Sequence, residues 1–352
     1  MRKEVIAATS AAATRRHLAA QGMAPPASLR PACSRGWTSK PGLLTTNDDG
    51  IMKRRIVCVG NLVHDEVFHV AAIPASGIKT DVLHYSERYG GPAATAAVAI
   101  CRLGGAASYW GWVGADPAGE AAVRTMRGHG VDCSDVVVVA DRRTLRSIVL
   151  VDRRGERSIV SDRRAAPADP GRLRKAGIED AGIVLVDSRW PAAAELALDR
   201  ARALGIVTVL DADGGPPAAT ARLIGKAGHV VFSSEGLRDF AGEGDAAEQL
   251  RRCATMPDQV LAVTRGAAGS LWLLNGETVH VPAFEVTAVD TTGCGDVFHG
   301  AYALGLCEGR EPLQAARFAA AAAALKAAHG RGWDGMADRA AVEALLQDGT
   351  PS

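Results

Sequence analysis

The chain has 352 residues, with 40 Lys and Arg set against 39 Asp and Glu for a formal net charge of +1. That balance, without a basic stripe interleaved with aromatics, argues against a nucleic-acid partner, and no apolar run approaches the roughly 20 residues of a membrane-spanning helix. The length admits one large α/β domain with a small appendage, or two modest domains, and 47% hydrophobic content with 39 glycines fits a turn-rich α/β protein.

In chain order, residues 1–51 stand apart. They carry seven Lys and Arg against three acids, are rich in Ala, Ser and Pro, and show no sustained period. Such a stretch reads as an unstructured, disordered leader, a transit-like peptide, or sequence ahead of a true start at Met52. From Lys53, β-branched runs alternate with alanine-rich helical stretches, which gives an expected domain over 52–338. The strands expected are Ile56–Val59, Ser108–Trp112, Ile183–Val186, Val207–Leu210, His229–Phe232 and Val260–Val263. Helices among them are expected at Pro92–Arg102, Gly119–Gly128, Pro191–Ala203 and Ala246–Thr255. The alternation predicts a mainly parallel sheet with helices on both faces, and its near-continuous apolar strands suit burial on both sides.

Two regions break that pattern, within about 63–90 and 144–162. Val67–Val70, Asp81–Tyr89, Leu145–Val151 and Arg157–Val160 alternate polar and apolar residues, and the turn Asp152-Arg153-Arg154-Gly155 joins the last two. Half-polar strands predict either a small separate sheet covering a cleft or a solvent-facing edge of the main sheet. After Pro282 the order reads strand, Gly-rich turn, then helices at Asp296–Cys307 and Pro312–Ala328. A tail helix at Arg339–Gln347 lies in a final segment, 339–352. The seven cysteines are scattered with no CxxC pair, which points to free thiols in a reducing, cytoplasmic compartment rather than disulfides or a zinc site.

The most informative segment is Asp290-Thr291-Thr292-Gly293-Cys294-Gly295-Asp296-Val297-Phe298-His299-Gly300. Two glycines flank a small residue just before a helical run, so backbone amides there can face a ligand without a Cβ in the way. A helix start is an anion site. A carboxylate beside it would repel a bound phosphate, yet it makes sense if Asp296 takes a proton from an attacking hydroxyl. Capping of the helix by Asp296 is the competing reading.

This segment resembles the C-terminal signature of the ribokinase-like, PfkB-type carbohydrate kinases, usually DTTGAGD. The resemblance runs from Ile56 to about Gly335. It includes Gly60 and Asp65, the glycine signature Gly90-Gly91-Pro92-Ala93-Ala94-Thr95, then Gly114, Asp116 and Gly119, and the run Thr264-Arg265-Gly266-Ala267-Ala268-Gly269. It implies a ribokinase-like three-layer α/β sandwich with a mainly parallel central sheet and a small β-sheet lid. It also implies an ATP-dependent sugar kinase in which Asp296 is the general base and the amides of Gly293, Cys294 and Gly295 form the anion hole. Asp65 with Gly90 and Gly91 would hold the sugar, and Thr264, Gly266 and Gly269 the nucleotide. Mg2+ riding on the ATP phosphates is implied with no protein metal ligands assigned; dependence on K+ stays open. The implied partners are a small sugar and ATP, with no nucleic acid and no membrane, and a homodimer joined through the lid.

Three positions depart from the family pattern. Cys294 replaces an alanine; a thiol at a helix start is expected to have a lowered pKa. The two readings are a thiol sensitive to oxidants and an inert small residue whose backbone amide does the work. Thr95 stands where many members have Asn. Ser233-Ser234-Glu235-Gly236 stands where the family has NxxE, with the Glu displaced by one position. Within the family the chain is most similar to the sulfofructose kinase branch, through Gly90–Ala99, Asp187-Ser188-Arg189-Trp190, Val209–Asp213 and the run ending at Ala301. Lys79 and Arg189 align with that branch's sulfonate-binding cations, whereas Ser161 replaces an expected Asn. An Arg at the end of a parallel strand points to the ligand crevice, though a surface ion pair for Arg189 and a solvated Lys79 remain alternatives. The expectation is an anionic ketose, 6-deoxy-6-sulfofructose. Neutral sugars, a sugar acid, a nucleoside, and a non-catalytic sensor role are the rivals.

Overall fold

Alternation within single strands builds this molecule around two cores. In β1 (Arg55–Val59), Ile56 and Cys58 enter one core while Val57 and Val59 enter the other. Further along, Ile183 and Leu185 oppose Val184 and Val186 in the same way. A strand apolar on both faces must be covered on both faces, and helices supply the cover. The computed structural model describes residues 45–46, 52–154, 156–162 and 166–349. Apart from 45–46, the expected leader 1–51 lies outside the described residues.

Two strands of a small separate sheet follow β1, namely β2 (Val63–Val70) and β3 (Val82–Gly90), then helix α1 (Pro92–Arg102). The expected strand 108–112 is divided into β4 (Ala107–Trp110) and β5 (Trp112–Gly114). Gly111 makes the break, because a Cβ there would lie 2.0 Å from the Tyr109 hydroxyl oxygen. Helix α2 (Pro117–Gly128) follows, its first turn capped by Asp116, whose carboxylate accepts the Gly119 N–H. Strand β6 (Val137–Val139) pairs with β5. The small sheet is completed by β7 (Leu145–Val151) and β8 (Arg157–Ser161). The chain then alternates through β9 (Ala181–Asp187), α3 (Pro191–Leu204), β10 (Val207–Asp211), α4 (Pro217–Ile224), β11 (His229–Ser233), α5 (Ser234–Ala241), α6 (Ala246–Cys253) and β12 (Val260–Thr264).

The main sheet has eight strands. In spatial order they are β14, β13, β12, β11, β10, β9, β1 and β4, where β13 is Ser270–Leu274 and β14 is Glu277–Val281. It is parallel from β12 to β4 and antiparallel only at the β13–β14 end. That end corrects the strand expected after Pro282, since residues 282–289 form none. The hairpin lies earlier because Asn275 and Gly276 both take positive φ, 51° and 84°, the geometry of a two-residue Asn-Gly turn. Beyond it come α7 (Cys294–Cys307), α8 (Pro312–His329) and α9 (Arg339–Asp348). Helices α1, α2, α7, α8 and α9 pack on one face of the sheet, and α3 to α6 on the other. The small sheet is separate, in the order β8-β7-β2-β3, which decides between the two arrangements its half-polar strands allowed. No helix among the described residues is long and apolar enough to cross a membrane.

Candidate active site

Parallel strands expose their carboxyl ends along one edge, the usual crevice for ligands in α/β sheets, and here that edge is acidic. Asp187, the last residue of β9, is fully buried. Its carboxylate accepts the N–H groups of Asn61 at 2.9 Å, Ala93 at 3.2 Å and Arg189 at 2.8 Å. One side chain thus fixes the turn after β1, the start of α1 and the exit from β9. Gly60 is required beside it, because a Cβ there would lie 1.9 Å from the carboxylate. Burial pushes the Asp187 carboxyl up, and the three amide bonds oppose that rise.

Asp211, at the end of β10, is also buried, with Oδ2 3.3 Å from His299 Nδ1. Burial and the like charges of Asp213 and Asp187 push its carboxyl well up. The His299 ring meets only acceptors, with Gly295 O 2.7 Å from Nδ1 and Val231 O 3.3 Å from Nε2. Burial lowers its pKa, while the neighbouring acids and carbonyls raise it.

Helix α7 delivers Asp296 to this cluster. Gly293 is its N-cap with φ 75°, and Val297 N–H makes the first bond of the helix, to Gly293 O at 2.9 Å. The amides of Gly295 and Asp296 therefore have no intrahelical acceptor. Cys294 differs, since its N–H turns back to Thr291 O at 3.3 Å, so it is the least available of the three amides expected in the anion hole. A Cβ at Gly295 would meet nothing within 4 Å, so the space over the turn is open. Asp296 is half-buried and makes no capping bond to the helix start, which removes the capping explanation. Burial first, then the Asp211 charge, pushes its carboxyl up to about 7, against pulls from His299 and Arg189.

The Cys294 thiol corrects an expectation. Burial pushes it up to about 11, so the helix start does not yield a reactive thiolate, because desolvation of the sulfur outweighs the helix field. Thr95 is buried, and its hydroxyl accepts the Trp333 indole N–H at 3.0 Å. Ser233 caps α5 through the Gly236 N–H and donates to Asp213 at 2.9 Å, while Glu235 is exposed.

On the small-sheet side, Asp65 in β2 accepts the Ser147 hydroxyl, and burial raises its carboxyl. Gly90 leaves room for it, since a Cβ there would lie 2.9 Å from Asp65 Oδ2. Gly91 has φ 100°, and its Cβ would meet Asn61 O at 2.2 Å. Arg189 lines a cavity of about 770 Å³ together with Asn61, Val63, Ser161, Trp190 and Gly214. Its Nε is buried and without a hydrogen-bond partner among the described residues, and a Cβ on Gly214 would lie 2.6 Å from Nη2. Lys79 is not brought there. It is exposed on the loop between β2 and β3 and does not line the cavity. Thr264 closes β12, one strand from β11, and Gly266 and Gly269 shape the turn after it with φ 55° and 76°. A Cβ on Gly269 would lie 2.3 Å from Val281 O.

Asp187, Asp211 and His299 carry no role in the sequence reading. The signal for both acids was present, as each ends an otherwise apolar strand, Val184-Leu185-Val186-Asp187 and Val209-Leu210-Asp211. His299 gave none, because its meaning depends on β10 lying opposite. Among the described residues, no three His, Cys, Asp or Glu side chains converge as a metal site.

The model of the pfkB family carbohydrate kinases matches residues 53–333. The chain is 30% identical over 302 residues to the ribokinase of Bacillus subtilis (strain 168), covering 83% of this chain and 99% of that protein. A solved candidate ribokinase from Agrobacterium tumefaciens is similar with a TM-score of 0.76 at 33% identity, over 84% of this chain and 98% of the other. The Arabidopsis thaliana ribokinase complexed with ribose and ATP shares the fold, with a TM-score of 0.74 at 24% identity over 84% and 99% of the two chains.

Proposed function

The chain belongs to the pfkB family of carbohydrate kinases, and from that premise we propose how its acidic crevice transfers phosphate and to what. It is an ATP-using sugar kinase of the ribokinase type. In our reading the sugar hydroxyl lies against Asp296, which takes its proton as the oxygen attacks the γ-phosphorus of ATP. The open amides of Gly293 and Gly295, joined by that of Asp296 and less directly by that of Cys294, meet the charge gathering on the equatorial oxygens. Mg2+, when bound with ATP, supplies further neutralisation of the phosphates. Asp65, Gly90 and Gly91 hold sugar hydroxyls, and Thr264, Gly266 and Gly269 border the nucleotide. The small sheet is a lid that keeps water from the phosphoryl group. The observation that carries this reading is Asp296 itself, a carboxyl freed from capping and poised near neutrality beside unfilled amides.

For the acceptor we favour an anionic ketose, with 6-deoxy-6-sulfofructose as the specific choice and its 1-phosphate as the product. Arg189 supports this, being a guanidinium on the cavity wall whose Nε lacks a hydrogen-bond partner among the described residues. Lys79 adds no support, since it is not part of that wall. The ribokinase likeness favours a neutral pentose or hexose instead. Phosphorylation of sulfofructose, fructose 6-phosphate, fructose, ribose and 2-keto-3-deoxygluconate, measured side by side, separates the two. A preference for neutral sugars overturns the anionic reading. Arg189→Ala should raise KM for the anionic substrate at least several-fold more than for a neutral one. Asp296→Asn should cost about 10²–10⁴ in kcat on every active sugar, and ADP formation with none of them would restore the sensor reading.

A further inference from the structure

Helix α8 reads apolar around its whole circumference, Phe318-Ala319-Ala320-Ala321-Ala322-Ala323-Ala324-Leu325, and then places Lys326 in the same packed environment. Lys326 is 1% exposed, and its ammonium has no hydrogen-bond partner among the described residues. Taking an ammonium out of water without a partner is costly, so its retention needs an explanation.

Its position supplies one. The next carbonyl along the helix, Ala327 O, accepts the N–H groups of Val289 at 2.8 Å and Asp290 at 3.1 Å. Gly330 keeps the approach close, since a Cβ there would lie 3.3 Å from Asp290 Cβ. The end of α8 is thus fastened to the start of the turn 290–296. The Lys326 charge acts on the Asp290 carboxylate and on the Cys294 thiol. Asp290 is met separately by Arg88 at 3.4 Å and Arg157 at 3.2 Å from the small sheet, so it has cationic partners without Lys326.

We propose that Lys326 is a built-in cation of the phosphate-binding turn. Its ammonium, in the last turn of the helix that is fastened to residues 289 and 290, adds positive charge to the site where phosphoryl charge gathers. It also repels any second monovalent cation from that place, so the enzyme works without K+. Lys326 is a positioning and electrostatic residue rather than one that touches substrate, and its role rests on the reading of this turn as the phosphoryl site.

The test is Lys326→Met in the full chain, which keeps the shape and removes the charge. Two effects of opposite sign are expected. The ligand-free protein should melt higher, by about 2–4 °C, because a desolvated charge is gone, while kcat should fall roughly tenfold and the ADP Kd measured by calorimetry should rise several-fold. Wild-type rates should be equal in K+ and Na+, and Lys326→Ala should regain rate on addition of ammonium or K+. Should the Met variant not accumulate folded, Lys326→Gln serves for the same measurements. Unchanged kcat and ADP affinity in the folded variant overturn the proposal, as does a wild type that needs K+. Full activity of Asp296→Asn would instead sink the site reading, and the higher melting temperature of the Met variant would stand apart from it.

Discussion

Asp296 carries two consequences that can be measured at the level of one proton. If Asp296 is the base it works ionised, so kcat/KM should climb with pH through a limb near 7 and level off above it. Asp211 contributes to that position through like charge, so Asp211→Asn should move the limb to lower pH; an unmoved limb would separate the two groups. The second consequence concerns stability. The carboxyl, ordinarily near 3.8, stands near 7 in the folded chain. Between those values the native state holds a proton that the unfolded chain has released, so stability falls as pH rises through the window. Asp296→Asn should therefore raise the melting temperature by a few degrees at pH 8 and by little at pH 5. Equal shifts at both pH values would contradict the raised pKa. The place of Asp296 in the first turn of a helix was legible because a glycine-flanked acid before a helical run is a local pattern. Its proposed role came from the family resemblance and not from that pattern. The Cys294 thiol was not legible, since the field of a helix start is local while the burial that overrides it comes from packing.

At the level of elements, the small sheet is tied to the turn 290–296 by its own arginines. Arg157 of β8 reaches Thr292 as well as Asp290, and Arg88 of β3 reaches Asp290 from another strand. Arginine forks suit such carboxylate contacts. If the sheet acts as a lid, this tie couples closure to the shape of the turn. Arg157→Ala should then raise the sugar KM several-fold and increase ADP formed without sugar relative to sugar phosphate formed. Checking the ratio of the two products is enough, and an unchanged ratio would make the tie purely structural. The half-polar alternation of β2, β3, β7 and β8 pointed to a separate sheet, with an edge of the main sheet as the alternative, and the strand order decides for the first. The alternation did not show which turn they meet, because Arg157 and Asp290 lie 133 positions apart in the chain. The β13–β14 hairpin carried a strong Asn275-Gly276 signal.

For the whole molecule, the small sheet leaves large apolar side chains exposed to solvent. Leu83 is 54% exposed, Ile159 55% and Val160 67%. Ile159 and Val160 are neighbours in β8 and so point to opposite faces, which means that this edge strand is uncovered on both. An open edge with apolar side chains invites another strand, and a net charge of +1 gives two copies little reason to repel. The chain is therefore expected to pair through these sheets, burying on the order of 800 Å² per partner if the dimer is stable. Sedimentation of the purified protein at micromolar concentration should give twice the chain mass of 36.5 kDa. The double variant Leu83→Glu, Val160→Glu should give the single mass, since both charges would be desolvated in the paired state. If the small sheet acts as a lid, the variant's sugar KM should rise with dissociation, because each sheet loses the surface that steadies it. A wild type that sediments as a single chain would end the proposal, and a monomeric variant with unchanged KM would confine pairing to stability rather than catalysis.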